Sequence, residues 1–180
     1  MYNIGVGLRL LELAYLMKPV SVAVMKSVGR VPVIEEELVR GTEVRLPLWL
    51  AIELEKEGVV EIREPGVKEG ELRRVKFIQM QQGETLVKLD EFFYIRAKRW
   101  LKELEEEGRK RFDVAALTVV EKARRDLHDL YRVRLNKIIM STVLGHLQSV
   151  EKSLSNEERL LARVLEHSLK EWAKYLGLEV

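Results

Sequence analysis

The sequence predicts an α+β protein, mostly α, in which a small N-terminal β-rich domain with one short helix precedes a C-terminal helical bundle domain. Up to residue 66, short β-like runs alternate with glycine and proline, whereas from residue 84 onward apolar residues recur at helical spacing. The 180 residues are 47% apolar and 33% charged, a balance that suits a folded core beneath a charged surface. Intrinsic disorder is thereby excluded.

The first residues predict a helical extension at about residues 7–18 rather than a targeting signal. Arg9 and Glu12 interrupt the apolar run, and neither a basic leader nor a clear small-residue cleavage site accompanies it. No run in the chain approaches the roughly 20 apolar residues that a membrane span needs. We therefore expect a cytoplasmic protein that does not contact a membrane.

The small domain is predicted over residues 1–66, with one helix packed on several short strands. The expected strands are Ser21–Val28, Val31–Ile34, Thr42–Arg45 and Val59–Arg63, and Glu64–Gly66 is expected to turn the chain. Pro47 is suited to the first helical position, and Gly58 to a left-handed stop. A domain with so little core depends on a few large side chains. We expect the anchors to be Pro47, Trp49, Leu50 and Leu54.

Residues 67–83 are ambiguous and are interpreted as a connector between the two domains. Val75, Phe77 and Met80 alternate as in a strand, whereas Leu72, Val75 and Ile78 fit one face of a helix. A short helix is the favoured interpretation.

The helical domain is predicted over residues 84–180, as four helices joined by short connections. The first helix carries a stripe that includes Phe93 and Trp100 and is expected to end at Gly108. Asp113 is placed to cap the next helix, whose apolar spacing continues as far as Leu154. Ser155 and Glu158 form a capping box that opens the last helix.

No arrangement of residues indicates catalysis, a cofactor or a metal. The chain has no cysteine, which excludes thiol catalysis and thiolate metal sites. Gly5-Val6-Gly7 has no preceding strand and is a poor match to a nucleotide-binding loop. The three histidines, His128, His146 and His167, form no metal-binding pair, and no nucleophile elbow is present. We expect no enzyme activity, although an unrecognised site remains an alternative.

A second alternative is a nucleic-acid-binding module that uses basic helix faces. The basic residues concerned are Arg96, Lys98, Arg99, Lys102, Arg124, Arg125, Arg132, Arg134 and Lys137. Phosphate contacts by such a surface would depend steeply on salt. Acidic residues interleave with these positions, however, and the net charge is only +2, so salt-bridged helix faces are the favoured interpretation.

Four segments resemble the GINS family. The phrase VPVIEEELVRGTEVRLPLWLAIELEKEGVVEI (31–62) is similar to the small β-rich domain of GINS subunits, and LPLWLA (46–51) is its most specific part. The helical segments LDEFFYIRAKRWLKEL (89–104), DLHDLYRVRLNKII (126–139) and LSNEERLLARVLEHSL (154–169) resemble helices of that family. The order, with the β-domain first, matches the smaller of the two archaeal GINS subunits.

The resemblance implies a non-catalytic scaffold of DNA replication that links the MCM helicase to a RecJ-like partner and supports helicase activity at the fork. It further implies a 2:2 heterotetramer with a second GINS subunit type, located in the nucleoid-associated cytoplasm, with a possible weak DNA contact. The low content of Asn and Gln, three and four residues, is typical of a thermophilic host. Apolar residues lie on more than one face of the helices, which predicts burial against another subunit. The candidate interface residues are Phe93, Tyr94, Trp100, Ile138, Ile139, Leu147 and Trp172.

Overall fold

A computed structural model describes residues 3–30, 37–63, 67, 69–83 and 85–178 of the chain. The helices are α1 (Ile4–Leu16), α2 (Leu48–Lys56), α3 (Glu69–Gln81), α4 (Phe93–Arg111), α5 (Val114–Val143), α6 (Leu147–Val150) and α7 (Asn156–Tyr175), with a 3-10 turn at Glu151–Ser153. The strands are β1 (Pro19–Val24), β2 (Val28–Arg30), β3 (Glu37–Leu38), β4 (Glu43–Pro47) and β5 (Val60–Ile62). The predicted α+β class, mostly helical, is confirmed.

The chain forms two compact units. One holds Met1–Arg9 and Val67–Val180, and the other holds Leu10–Gly66. The expected extension at about residues 7–18 corresponds to α1, which begins at Ile4, ends at Leu16 and contributes residues to both units. No helix in the described part of the chain is long and apolar enough to cross a bilayer.

The unit of residues 10–66 is built on a three-stranded antiparallel sheet in the order β4-β1-β5. On the central strand β1, alternate side chains Val20, Val22 and Val24 are buried, as the period of two requires. Strands β2 and β3 form a separate antiparallel pair with a bulge. The strand expected at Val31–Ile34 and the turn expected at Glu64–Gly66 lie outside the described residues.

Helix α2 packs on this sheet through a different set of residues from those that the sequence suggested. The buried cluster contains Leu48 and Ala51 of α2, three residues apart on one face, together with Leu46 of β4. Trp49 is only half-buried, because one residue step along the helix turns its side chain about 100° away from Leu48. Trp49, expected as one of four anchors, is thus not among the residues of this cluster.

The other predicted anchors of this unit differ in their roles. Leu50 is buried, and Leu54 is half-buried against the cluster. Pro47 is half-buried at the end of β4 and occupies the N-cap of α2, one position earlier than expected. Gly58 adopts φ +65°, the left-handed conformation expected at the end of α2.

In the helical unit, residues 69–81 are a 13-residue helix that packs on α5, rather than a bare connector. Leu72 of α3 joins the same buried cluster as Phe93 and Ala97 of α4 and Leu130 of α5. This segment is a helix in the structure, in agreement with the favoured interpretation. The residues that it buries are Leu72 and Gln79.

Two predicted helix ends are wrong. Helix α4 continues through Gly108 and ends at Arg111, and the next residue, Phe112, has φ +54°. Gly108 instead allows close packing of α4 and α5, since a Cβ atom there would lie 3.2 Å from the Leu117 side chain. The apolar spacing predicted that the next helix continues as far as Leu154. Helix α5 instead ends at Val143, and Gly145 (φ +72°) interrupts that spacing.

Two predicted caps are confirmed. The Asp113 side chain accepts a hydrogen bond from the Ala116 N–H at the start of α5. At the start of α7, the Ser155 hydroxyl accepts from the Glu158 N–H, and the Glu158 carboxylate accepts from the Ser155 N–H. This second cap fixes the position of the Glu158 carboxylate.

We predict that Leu46→Ala destabilises the unit of residues 10–66 by about 2–5 kcal/mol, because it leaves a cavity in a fully buried cluster. Trp49→Ala should cost less, since Trp49 is half-buried. Amide hydrogen exchange of the β1 residues under increasing urea measures both changes. A Trp49→Ala effect as large as that of Leu46→Ala would contradict this account.

Candidate functional site

A buried ion pair lies at the centre of the helical unit. Arg134 is completely buried, and Glu158 is 5% exposed. The Arg134 Nε and Nη2 atoms donate to the two Glu158 carboxylate oxygens, at 2.7 Å each. The pair is therefore bidentate, the arrangement in which a guanidinium and a carboxylate match best.

Each partner is positioned by its helix. Arg134 lies four residues from Leu130 and four from Ile138, both buried, so that α5 points all three side chains inward. Glu158 occupies the third position of α7, where the capping box holds its carboxylate and the helix dipole favours its negative charge.

The remaining Arg134 donors bond to three further segments. Nη1 donates to Gln79 Oε1 of α3 at 2.8 Å and to the Val87 carbonyl at 2.7 Å. Nη2 also donates to the Ser153 carbonyl at 3.1 Å. Gln79 in turn accepts from the Val87 N–H and donates to the Thr85 carbonyl. One guanidinium thus connects α3, the 85–92 segment, the 3-10 turn and α7 to α5.

Helix α4 joins the same network through Tyr94. The Tyr94 hydroxyl donates to Glu158 Oε1 at 2.8 Å. Burial, reinforced by the negative charge of Glu158, raises the pKa of the Tyr94 hydroxyl well above its usual range. Tyr94 therefore stays neutral and remains a hydrogen-bond donor at physiological pH.

The neighbouring Glu157 is also buried, and it supports the start of α4. Its Oε1 accepts from the Ile95 N–H at 2.9 Å, which replaces a cap that Phe92 does not supply. Its Oε2 is buried and accepts no hydrogen bond from any residue that the structure describes. Burial raises the pKa of Glu157 above its usual value, and the charge of Glu158 adds to the shift.

A cavity of about 200 Å³ opens beside Glu157, between α4, α5 and α7. Its lining residues are Tyr94, Tyr131, Leu135, Ile138, Glu157, Glu158 and Leu161. The walls are thus mostly apolar, with two carboxylates and two tyrosines, and Tyr131 is 44% exposed at the surface.

Helices α5 and α7 run side by side in the same direction. Arg134 pairs with Glu158, 24 positions later, and the same offset relates Ile138 to Ala162 in one buried cluster. Further along, Thr142 and Glu166 line a second cavity, of about 500 Å³.

The far ends of α5 and α7 carry a concentration of exposed apolar residues, here called the distal surface. Its members are Ile139, Met140, Val143, Leu144, Leu169, Trp172, Tyr175, Leu176 and Leu178. Trp172 is 63% exposed and Tyr175 86%. Large apolar side chains grouped in this way are typical of a protein-interaction surface.

The structure divides the predicted interface residues into three classes. Phe93 and Ile138 are each 1% exposed and belong to core clusters, so assigning them to the interface is corrected. Tyr94, Trp100 and Leu147 are half-buried against the same clusters. Ile139 and Trp172 are exposed, and both belong to the distal surface.

Sequence reasoning missed the roles of Arg134, Gln79 and Glu157. A charged residue at an inward position of α5, between Leu130 and Ile138, was the available signal for Arg134. The capping box located Glu158 correctly but did not reveal its partner, which lies 24 positions away in the chain.

The basic residues considered for nucleic-acid binding are largely engaged within the chain. Arg96 pairs with Asp90, Arg99 with Glu103, Lys102 with Glu106 and Arg124 with Glu105. Lys137 donates to the carbonyls of Gln82 and Thr85, and Arg134 is buried. Little of this set is left as a free cationic track.

The three histidines are exposed. Among the residues that the structure describes, no three His, Asp or Glu side chains are grouped so that they could hold a metal ion.

Comparison with known proteins identifies the helical unit. Residues 67–177 match the family described as the GINS complex protein helical bundle domain. The match covers α3 to α7 and therefore includes Arg134, Glu157 and Glu158. No curated protein matches the chain at a significant level.

We predict that Arg134→Ala lowers the free energy of unfolding by about 3–5 kcal/mol, because it leaves the buried Glu158 charge without its partner. Arg134→Lys should lie between this variant and the wild type, because Lys keeps the charge but loses the fork. The matched control is Arg163→Ala, whose pair with Glu151 is exposed and should contribute less than about 1 kcal/mol. Urea unfolding measures all three, and equal costs for Arg134→Ala and Arg163→Ala would contradict the account.

A second prediction concerns the pH dependence of stability. The native pKa of Glu157 is raised above 4.5, so the folded state holds this proton more tightly than the unfolded chain does. As pH rises from below 4.5 through the raised native value, the wild type should therefore lose stability relative to Glu157→Gln. Above that value the difference should stay constant.

Urea unfolding of both proteins across this pH range measures the difference. Glu107→Gln, an exposed substitution on α4, is the control and should show no such trend. A wild-type advantage over Glu157→Gln that grows with pH would disprove the assignment.

Proposed function

We propose, on the premise that this chain belongs to the GINS family of DNA-replication complex subunits, that it is a non-catalytic scaffold subunit of the replication fork. In this role it would link the MCM helicase to a RecJ-like partner and support helicase activity. Its direct partner would be a second GINS subunit type, in an archaeal 2:2 heterotetramer in the nucleoid-associated cytoplasm.

The distal surface is the observation that carries this proposal. Nine exposed apolar side chains lie near or just beyond the C-terminal ends of α5 and α7, and three of them, Val143, Leu169 and Leu178, line one cavity. The helical unit has core clusters of its own besides these residues. Full burial of a Leu, Ile or aromatic side chain contributes about 1.5–3 kcal/mol. Several such residues suffice for the apolar centre of a permanent subunit interface.

The proposed partners require different parts of the surface. A second GINS subunit fits the distal surface, because obligate interfaces are the more apolar class. The helicase and the RecJ-like protein would then bind the charged faces that remain, in keeping with transient contacts. A weak DNA contact is less supported, because most of the basic residues considered for it are paired within the chain.

We predict that Trp172→Glu or Ile139→Glu prevents stable assembly with the second GINS subunit, because each places a charge in the apolar centre of the interface. Co-expression followed by light scattering measures the mass of the complex. The wild type should form a hetero-oligomer, and each variant should leave most of the chain unassembled.

The control is Phe77→Ser, which changes an aromatic residue of α3 that is 62% exposed and lies outside the distal surface. It should assemble like the wild type. Normal assembly of both glutamate variants would place the interface elsewhere, and a wild-type chain that remains monomeric with its partner would disprove the scaffold proposal.

A further inference from the structure

Helix α1 carries an exposed apolar face, here called the α1 seam, which consists of Val6, Leu10, Leu13 and Met17. These side chains are 52%, 60%, 58% and 63% exposed, in that order. Met17 follows the last residue of α1, and its N–H still donates to the Leu13 carbonyl, so it continues the helical turn. Because each residue turns an α-helix by about 100°, all four side chains lie within a sector of about 60°.

The opposite face of α1 is already in contact with its own chain. Tyr15 packs against the buried cluster of the sheet. A Cβ atom at Gly7 would lie 2.7 Å from the Leu160 side chain, so α7 approaches the helix closely at that point. A helix that is apolar on both sides is normally covered on both sides. The α1 seam therefore lacks the partner that its composition requires.

The spacing of the seam indicates that this partner is another helix. Its residues are four, three and four positions apart, which is the spacing of a coiled-coil seam. In such a contact each apolar side chain inserts between side chains of a facing helix that has the same spacing. The two charged residues of α1, Arg9 and Glu12, do not belong to the seam. An uncharged, apolar helix face is thus the chemistry that fits.

A second copy of α1 meets this requirement. The spacing of four, three and four reads the same in both directions, so the seam is complementary to itself about a two-fold axis. In an antiparallel pair, Leu10 would face Leu13 of the second copy. Val6 would face Met17 of the second copy, which places the smallest side chain of the seam opposite its longest and most adaptable one.

The identity of the seam residues favours the antiparallel arrangement over the parallel one. Parallel two-stranded pairs prefer a β-branched residue at the first apolar heptad position and leucine at the second. Here Leu10 and Met17 occupy the first position, and the β-branched Val6 occupies the second, which is the reverse order. An antiparallel pair also places the positive N-terminus of each helix near the negative C-terminus of the other.

The exposed area of the seam determines how strong the contact can be. Four side chains that are each more than half exposed would bury on the order of 400 Å² per copy, about half of the roughly 800 Å² per partner in a standard stable interface. Pairing through this seam alone should therefore be weak and reversible. It would strengthen wherever two copies are held at a high effective concentration.

We propose that the α1 seam binds the α1 seam of a second copy of this chain, as a short antiparallel helix pair. Helix α1 lies outside the matched segment 67–177, so this contact is not a feature of the matched helical bundle domain. The inference goes beyond the proposed function and does not depend on it, because both partners are the same chain.

Sedimentation equilibrium of the full chain, up to the millimolar range, measures the pairing. The wild type should form a reversible dimer. Leu10→Glu and Leu13→Glu should each raise the dimer Kd about tenfold or more, because each places a charge in an apolar contact. The matched control is Phe77→Glu, which introduces the same charge on α3 at a residue that is 62% exposed, and it should leave the Kd unchanged. Thermal melts establish that each variant is folded.

Disulfide trapping tests the orientation of the two helices. The chain has no cysteine, so an introduced pair is the only one that can react. In an equal mixture of Leu10→Cys and Leu13→Cys chains, one of them isotopically labelled, the mixed disulfide should form several-fold faster than either self-disulfide. The reason is that positions 10 and 13 face each other across the antiparallel pair. Phe77→Cys should cross-link only at the rate of random collision.

A wild-type chain that stays monomeric over this range, or a dimer that neither glutamate variant weakens, would overturn the inference. Self-disulfides that form faster than the mixed one would indicate parallel pairing and overturn the antiparallel arrangement. If the wild type does not self-associate and Leu10→Glu instead prevents assembly with the second GINS subunit, the seam belongs to that subunit and the choice of partner is overturned. The proposed function is tested separately, through Trp172 and Ile139.

Discussion

The ion pair between Arg134 and Glu158 is the interaction on which the helical unit depends. It joins α5 to α7 directly, while its other hydrogen bonds reach α3, α4 and the segments between them. The side chains of Arg134, Glu158 and Gln79 are themselves buried, so water does not readily replace a lost partner between them. The ion pair thus links six chain segments, which are α3, the 85–92 segment, α4, α5, the 3-10 turn and α7.

Such a pair is not retained for stability alone, because the desolvation of two charges offsets much of their attraction. Its geometric effect is more specific. The bidentate contact between Arg134 and Glu158 fixes the position of α7 along α5. The same offset of 24 positions relates Ile138 to Ala162. Next to this aligned region, Val143 near the end of α5 lines a cavity together with Leu169 of α7 and Leu178.

The sequence predicted those parts of the fold that local patterns encode. The α+β class and the caps at Asp113 and Ser155 follow from periodicity and capping chemistry, and the structure confirms them. Tertiary contacts decided the rest. Gly108 lies at a close helix approach rather than a helix end, and Leu48 and Ala51 replace Trp49 in the small core. Arg134 could not be paired from sequence, because residues far apart along the chain supply its partners.

The central claim is that α5 and α7, aligned by the ion pair, bind a second GINS subunit through their distal ends. Hydrogen–deuterium exchange with and without that subunit tests it most directly. Protection on binding should concentrate at residues 139–144 and 169–178. Protection confined to α3 or the exposed face of α4, with the ends of α5 and α7 unchanged in a stable complex, would contradict it.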